Sequence, residues 1–417
     1  MSVSVDGTEV WCRFSVGYSL IPLPSIRFLY LRLLTFLLGP ETVDRALIGS
    51  NIRRNPRTST IEFTRIPSNG HKRSEEHDID PLQKENVIFR IHPTRESSRL
   101  IFQLGTASPS LAVQAATLVA PYVVGIDVNA GCPKPFSTSG GMGAALLSTP
   151  DLLCSILTAL VNEVGGKFEI GISVKIRLLS TEVETRTLVE RLCKTGITGL
   201  TIHCRTRSMR KTEKAVREQL RMVGEVCREA GVACLMNGDV EDRAQAEQLA
   251  AEYGVNGAMI ATAAEKNSSV FRQRENGGVA PWKEVVAGYM REALEVENRW
   301  GNTKFLLAQQ IPGKEQVARS INQAKNYEHT CQILELSELL EMAKEVDKII
   351  GITDRETKSE QKAKKRVLVE QKNKDAGSTK RRKKDLLVQD RMIEGESKGS
   401  DFMTDLHQDI IASTVTA

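Results

Sequence analysis

The sequence predicts an α/β fold: a (β/α)8 TIM barrel whose first strand is degenerate or missing, then a smaller all-helical domain and a disordered basic tail. Three observations carry this. From about Leu100, short β-branched runs alternate with amphipathic segments of helical period; a polar residue closes each of five successive runs; and after Trp282 the period is helical until charge replaces it beyond Asp354.

Taken in order, strands are predicted over 100–104, 123–128, 172–176, 200–203, 234–236 and 258–261. Helices over 109–120, 150–164, 183–194, 213–230 and 243–253 follow the first five, and a last short helix follows the sixth. Six such units suit a barrel whose first two units lie before residue 100, with a doubly wound open sheet as the competitor. Gln103, Asn129, Lys175, His203 and Asn237 each end or nearly end a strand. One polar strand terminus is ordinary; five in consecutive units point to a shared mouth, because barrel enzymes gather their chemistry at the C-terminal strand ends. Helical segments over 282–300, 303–307, 314–324 and 327–349 are broken at Ile311-Pro312-Gly313. The predicted organisation is an atypical N-terminal segment (1–39), a barrel (40–275), a helical domain (280–350) and a tail (355–417).

The chain has 417 residues, 41% of them hydrophobic, enough to bury a large core, and a net charge of +5. That charge is local. Residues 362–385 hold eleven basic and three acidic side chains, a net of +8, so the rest sums to −3. Total charge therefore says nothing about nucleic-acid binding by the folded body. Eight scattered cysteines, with no CxxC pair and no histidine to complete a zinc set, fit a reducing compartment and no metal centre. The apolar stretch 18–39 is interrupted by Pro22, Pro24, Arg27 and Arg32, so no membrane span is expected. A cytoplasmic protein is expected, with the basic clusters at 362–366 and 380–384 as a candidate nuclear address; a solvated tail that attracts polyanions fits the same composition.

The most specific segment runs from Gly125 to Leu147. A strand ends at Asn129, Gly131-Cys132-Pro133 puts a thiol on a short rigid loop, and Gly140-Gly141-Met142-Gly143 permits close backbone approach before a helix. A lone cysteine is usually a small buried hydrophobe, but here the flanking Gly and Pro place it on a loop after a strand. Asp127 to Leu147 resembles the D-x-N-x-G-C-P-x7-G-x-G-A-x-L signature of tRNA-dihydrouridine synthases. Phe102-Gln103-Leu104-Gly105, Val174-Lys175-Ile176-Arg177, Ile202-His203-Cys204-Arg205-Thr206-Arg207 and Met236-Asn237-Gly238-Asp239 continue the likeness in order. With Asn302-Thr303-Lys304 they most resemble the eukaryotic branch acting at position 20 of the D-loop, over about residues 40–350.

The resemblance implies an FMN barrel in which Gln103, Lys175 and His203 approach the isoalloxazine ring, while Asn237, Gly238, Asp239, Ala261 and Thr262 approach the phosphate. It implies that NADPH (or NADH) reduces FMN, that hydride passes from N5 to C6 of uracil, and that Cys132 gives a proton to C5. Cysteine suits that role because a thiol is mostly protonated at neutral pH. Asn129 would hold the uracil edge, and Arg177, Arg205, Arg207 and Arg210 would meet tRNA phosphates. The implied partners are tRNA and NAD(P)H, with the protein a monomer. Two other classes stay open: a flavin barrel dehydrogenase acting on a free pyrimidine, and a flavin-less RNA-binding pseudoenzyme.

Two departures stand out. The family's first strand, read A-P-M-V-R, is not found before Gly39; residues 27–38 form an apolar, Arg-punctuated substitute, for which a mis-spliced or frame-shifted gene is the leading explanation. Without that strand the barrel is expected to have an open seam with two unpaired edges. In Ile260-Ala261-Thr262-Ala263, Thr262 stands where the family has an arginine for the FMN phosphate.

Overall fold

Eight strands hydrogen-bond into a closed ring in this structure, a computed structural model that describes residues 2–5, 8–11, 15–18, 34–66 and 85–352. They are β1 (Ser15–Tyr18), β2 (Leu34–Leu38), β3 (Leu100–Gly105), β4 (Gly125–Ala130), β5 (Gly171–Leu178), β6 (Gly199–Thr206), β7 (Ala233–Asn237) and β8 (Gly257–Ile260). From β2 to β8 every neighbour is parallel. The expected open seam is absent: β1 runs antiparallel between β8 and β2, pairing Ser15 with Ile260 and with Leu37. An extended segment offers N–H and C=O groups to both edges whichever way it runs, so a reversed strand closes the ring where a parallel one was expected. The residues between β1 and β2 lie outside the described ones, as do the tail and its basic clusters.

Alternation along each strand divides the barrel into two environments. Outward residues such as Phe102, Ile126, Val128, Val174, Ile202 and Met236 pack with the surrounding helices in one large core. Inward, Leu38, Ile101, Leu235 and Met259 make a small apolar floor. Directly above them, two residues further along β3 and β7, come Gln103 and Asn237. This is why β3, β4 and β8 are buried along their whole length.

Most helix starts follow local chemistry. Asp242 accepts from Gln245 N–H at 2.8 Å to open Arg243–Tyr253, and Thr181 and Glu184 form a capping box at the head of Glu182–Cys193. Two predicted helices are corrected. The one expected over 213–230 begins only at Leu220, because Arg205 takes the Glu213 carbonyl, Asp239 takes Ala215 N–H and Cys204 takes Val216 N–H. The one expected over 327–349 is Tyr327–Ile333, a short turn at Ser337–Leu339, and Leu340–Ile349. It breaks in a Schellman turn, with Glu335 at φ +57° and Leu336 N–H bonded to Cys331 C=O at 2.9 Å.

Between β2 and β3 the chain forms a three-stranded antiparallel sheet, Asn51–Arg54, Ile61–Arg65 and Asn86–Ile91, which periodicity had left inside the barrel. Arginines tie it to the far end of helix Trp282–Glu295. Arg95 pairs with Glu292 at 2.8 Å and Glu295 at 3.1 Å, Arg57 pairs with Glu297, and Arg90 donates to the Val296 carbonyl. The helices that follow are centred on buried Tyr327, whose hydroxyl meets Thr303 at 2.6 Å and the Asn298 carbonyl at 2.8 Å. All described residues to Gly351 fall in one compact unit. Among them no helix is long and apolar enough to cross a membrane, and no cluster of side chains is suited to a metal ion.

Candidate active site

Strand register sets the predicted polar residues into one belt. Gln103 lies opposite Asp127, Asn129 opposite Lys175, Arg177 opposite His203, and His203 opposite Asn237. Reading inward positions two apart adds groups to which the sequence reading gave no role in the site: Asp127 on β4 and Ser173 on β5. Asp127 is 2% exposed and accepts from Gln103 Nε2 at 3.0 Å and Ser173 Oγ at 2.8 Å. Burial pushes its carboxyl above the ordinary range, against those hydrogen bonds and the pull of Lys175.

Lys175 is the electrostatic centre of the belt. Burial brings its ammonium down to about 8, with Asp127 opposing and Arg177 adding to the fall. Its Nζ makes no hydrogen bond among the described residues. His203 is pushed down to about 2, first by burial and then by Lys175, Arg177 and Arg205, so it works as a neutral imidazole. Arg205 Nη1 lies 3.3 Å from His203 Nε2. A guanidinium can only donate, so Nε2 accepts and the ring proton sits on Nδ1.

Cys132 sits on the loop after β4, partly exposed. Asn129 Oδ1 accepts from the N–H groups of Gly131 and Cys132 at 3.0 and 3.1 Å, and the Cys132 carbonyl accepts from Ala144 N–H at 2.9 Å. The Asn129 oxygen is thus engaged with the cysteine loop. Gly143, at φ +57°, closes the loop; a Cβ there would come within 2.6 Å of the Cys132 carbonyl oxygen.

The arginines divide in two. Arg177 donates to the carbonyls of Gly131 at 2.7 Å and Thr206 at 2.9 Å. Arg205 bonds Glu213 C=O and pairs with Asp239 at 2.5 Å. Both are buried pieces of the mouth, with their guanidinium groups engaged by the protein's own carbonyls and Asp239. Arg207 and Arg210 are exposed and make no ion pair among the described residues.

At the other side of the mouth, Asn237 Nδ2 donates to Met259 C=O at 3.0 Å, and Gly238 and Asp239 turn through φ +125° and +51°. Arg217, another residue absent from the sequence reading, donates to the carbonyls of both Gly238 and Asp239. Its neighbourhood in the sequence is polar and carries no strand-end signal. Ala261 leads into the short helix Thr262–Lys266, with Thr262 exposed at its first position.

Residues 79–362 match the family described as dihydrouridine synthase (Dus). The chain is 45% identical over 335 residues to tRNA-dihydrouridine(20) synthase [NAD(P)+] of Schizosaccharomyces pombe, covering 78% of this chain and 66% of that one. It is 42% identical over 283 residues to the Saccharomyces cerevisiae protein of the same description, covering 66% and 70%. A third relative, tRNA-dihydrouridine(20a/20b) synthase [NAD(P)+] of S. cerevisiae, is 29% identical over 290 residues, covering 66% and 76%. The chain spans about two thirds of the length of the first two, 66% and 70%.

Proposed function

The chain belongs to the dihydrouridine synthase family, and on that premise we propose that it reduces the C5=C6 bond of a uridine in tRNA at the expense of NAD(P)H. The target would be position 20, for which two of its fungal relatives are named. The observation that carries this reading is the loop thiol of Cys132, fixed through Asn129 beside a mouth with a cationic wall and an apolar floor.

FMN fits that mouth. The Lys175 ammonium lacks a hydrogen-bond partner among the described residues, as does the amide oxygen of Gln103, and the turn at Gly238 and Asp239 follows β7, whose neighbour β8 leads through Ala261 into Thr262–Lys266. Bound there by Gln103, Lys175, His203 and the 237–239 turn, it would supply the hydride for C6.

The chain's own residues supply the remainder. Cys132 holds the proton destined for C5, so that charge does not accumulate on the ring as the C5=C6 bond is reduced. Lys175 places positive charge on the wall, in surroundings where burial makes it count for more than in water. Neutral His203 offers Nδ1–H as a donor while Arg205 keeps the tautomer fixed. A uridine within folded tRNA must leave its stack to reach this mouth, so contacts outside it are required; we assign them to Arg207 and Arg210, whose exposure supports a meeting with phosphates.

The test is incubation of the reduced protein with unmodified tRNA and, separately, with free uridine. A gain of two hydrogens at one D-loop uridine is expected. Turnover of the free nucleoside without turnover of tRNA would refute the reading.

A further inference from the structure

Glu41 lies just before the two-residue strand Thr42–Val43, which pairs with the end of β3 through Thr42 to Leu104 and Val43 to Gly105. That pairing brings its carboxylate under the cysteine loop. Oε1 accepts from Ser137 Oγ at 3.3 Å, and the side chain of Asn129 lies close enough to help draw the carboxyl's proton affinity down. The Asn129 oxygen already accepts from Gly131 and Cys132 N–H, so what its side chain offers the carboxylate is the amide nitrogen. Ser137 is fully buried on the turn that follows the cysteine, and its carbonyl accepts from Met142 N–H at 3.1 Å. One carboxylate therefore holds the far end of the Cys132 loop through Ser137 and stands beside its near end at Asn129.

Two glycines show how closely the site is built around this arrangement. A Cβ on Gly105 would stand 2.7 Å from Glu41 Oε1, and one on Gly143 would stand 2.4 Å from Ser137 Oγ and 3.2 Å from Cys132 Cβ. The Ser137 hydroxyl thus lies between the carboxylate and the cysteine. Burial holds the Glu41 carboxyl above its ordinary range, while Ser137, Asn129 and Lys134 draw it down.

We propose that Glu41 is a positioning residue of the reaction, which acts through Asn129 and Ser137 to hold Cys132 where its proton is delivered. Glu41 does not touch the uridine. The proposal rests on the reading of Cys132 as proton donor given above. It separates the two half-reactions: reduction by NADPH does not use the loop, whereas delivery to C5 does.

The experiment uses the full chain as Glu41→Ala, Glu41→Gln, Ser137→Ala and Cys132→Ala, each loaded with FMN. Flavin bleaching by NADPH is followed first, then the single-turnover rate of dihydrouridine formation on an unmodified tRNA transcript over a range of tRNA concentrations. Glu41→Ala should bleach at the parent rate, form dihydrouridine about ten- to hundred-fold more slowly, as a misplaced group does, and reach half-saturation at an unchanged tRNA concentration. Ser137→Ala should show a smaller loss of the same kind, and Glu41→Gln, which keeps one acceptor oxygen, should recover part of the rate. A Glu41→Ala rate within twofold of the parent, or equal losses in both half-reactions, overturns the proposal. If Glu41→Ala does not fold, Glu41→Gln and Ser137→Ala decide by the same criteria. Parent-like turnover by Cys132→Ala would instead bring down the proton-donor reading itself, and the role of Glu41 with it.

Discussion

Replacing Asp127 with alanine tests the belt where it is most committed. The substitution removes the acceptor for two buried donors, Gln103 Nε2 at 3.0 Å and Ser173 Oγ at 2.8 Å. An orphaned buried donor costs about 1–3 kcal/mol, so Asp127→Ala should lose about 2–6 kcal/mol of stability. That is a large share of the ~5–15 kcal/mol by which a folded protein is stable. Asp127→Asn keeps one acceptor oxygen and should lose about half as much. The same change removes the main charge that holds Lys175 up against burial, so the ammonium should titrate below its present value of about 8. Urea unfolding of the parent, Asp127→Ala and the double variant Asp127→Ala/Ser173→Ala measures the first effect. The double variant should be more stable than Asp127→Ala alone, because deleting the stranded hydroxyl removes its desolvation cost. Coincident midpoints for the parent and Asp127→Ala, or no recovery in the double variant, would refute this account of the belt.

Cys132→Ala should retain flavin reduction by NADPH and lose dihydrouridine formation by about 10²–10⁴-fold, with equal turnover in mutant and parent removing the thiol from the reaction. Lys175 has a folded-state value of about 8, below its unfolded value of 10.5, so the folded state binds fewer protons between the two. Stability should therefore rise as pH climbs from about 8 to about 10.5, while single-turnover activity falls over the same window; activity that holds flat there would contradict a role for the ammonium. Thr262→Arg adds a cation at the head of Thr262–Lys266 and should tighten FMN binding by roughly ten- to hundred-fold, read by titration of the flavin absorbance. Arg207→Ala should weaken tRNA binding at every sequence and lower the salt slope by about one, whereas an unchanged slope would place that side chain away from the phosphates.

Much of the barrel was legible because its strands are short apolar runs bounded by polar termini, and the helix 243–253 was read to its true ends because Asp242 caps it. The belt was legible for a related reason: Gln103, Asn129, Lys175, His203 and Asn237 stand out as polar residues at strand ends. Asp127 and Ser173 did not stand out, since each lies deeper in its strand, and only register shows that Asp127 lies between Gln103 and Ser173 on the two neighbouring strands. Arg177 and Arg205 were read as contacts for tRNA phosphates; the backbone carbonyls they bond here could not be foreseen, because sequence gives no measure of which carbonyls a guanidinium will find. The Schellman turn at Glu335 was missed because a glutamate occupies the left-handed position that glycine usually fills. The reversal of β1 was out of reach for a simpler reason: hydrophobic period is the same in both directions along a strand.

That reversal changes the traffic at the mouth. Seven strands hand the chain outward at the end where the chemistry gathers, but β1 receives it there, with Ser15 level with Ile260 and Tyr18 level with Leu34 at the opposite end. Ser15, where β1 begins, therefore stands at the same end of the barrel as Ile260, one residue before Ala261 and the helix Thr262–Lys266, while Ser2–Val5 packs on helix Trp282–Glu295 and its partner Thr8–Trp11 on the turn Ser268–Phe271. Shortening the chain to begin after Tyr18 would take away a stave of the barrel and a brace of the helical layer in one cut. Because Ser15 stands level with Ile260 at the mouth, the start of β1 is a handle for a spectroscopic label that reports on what enters.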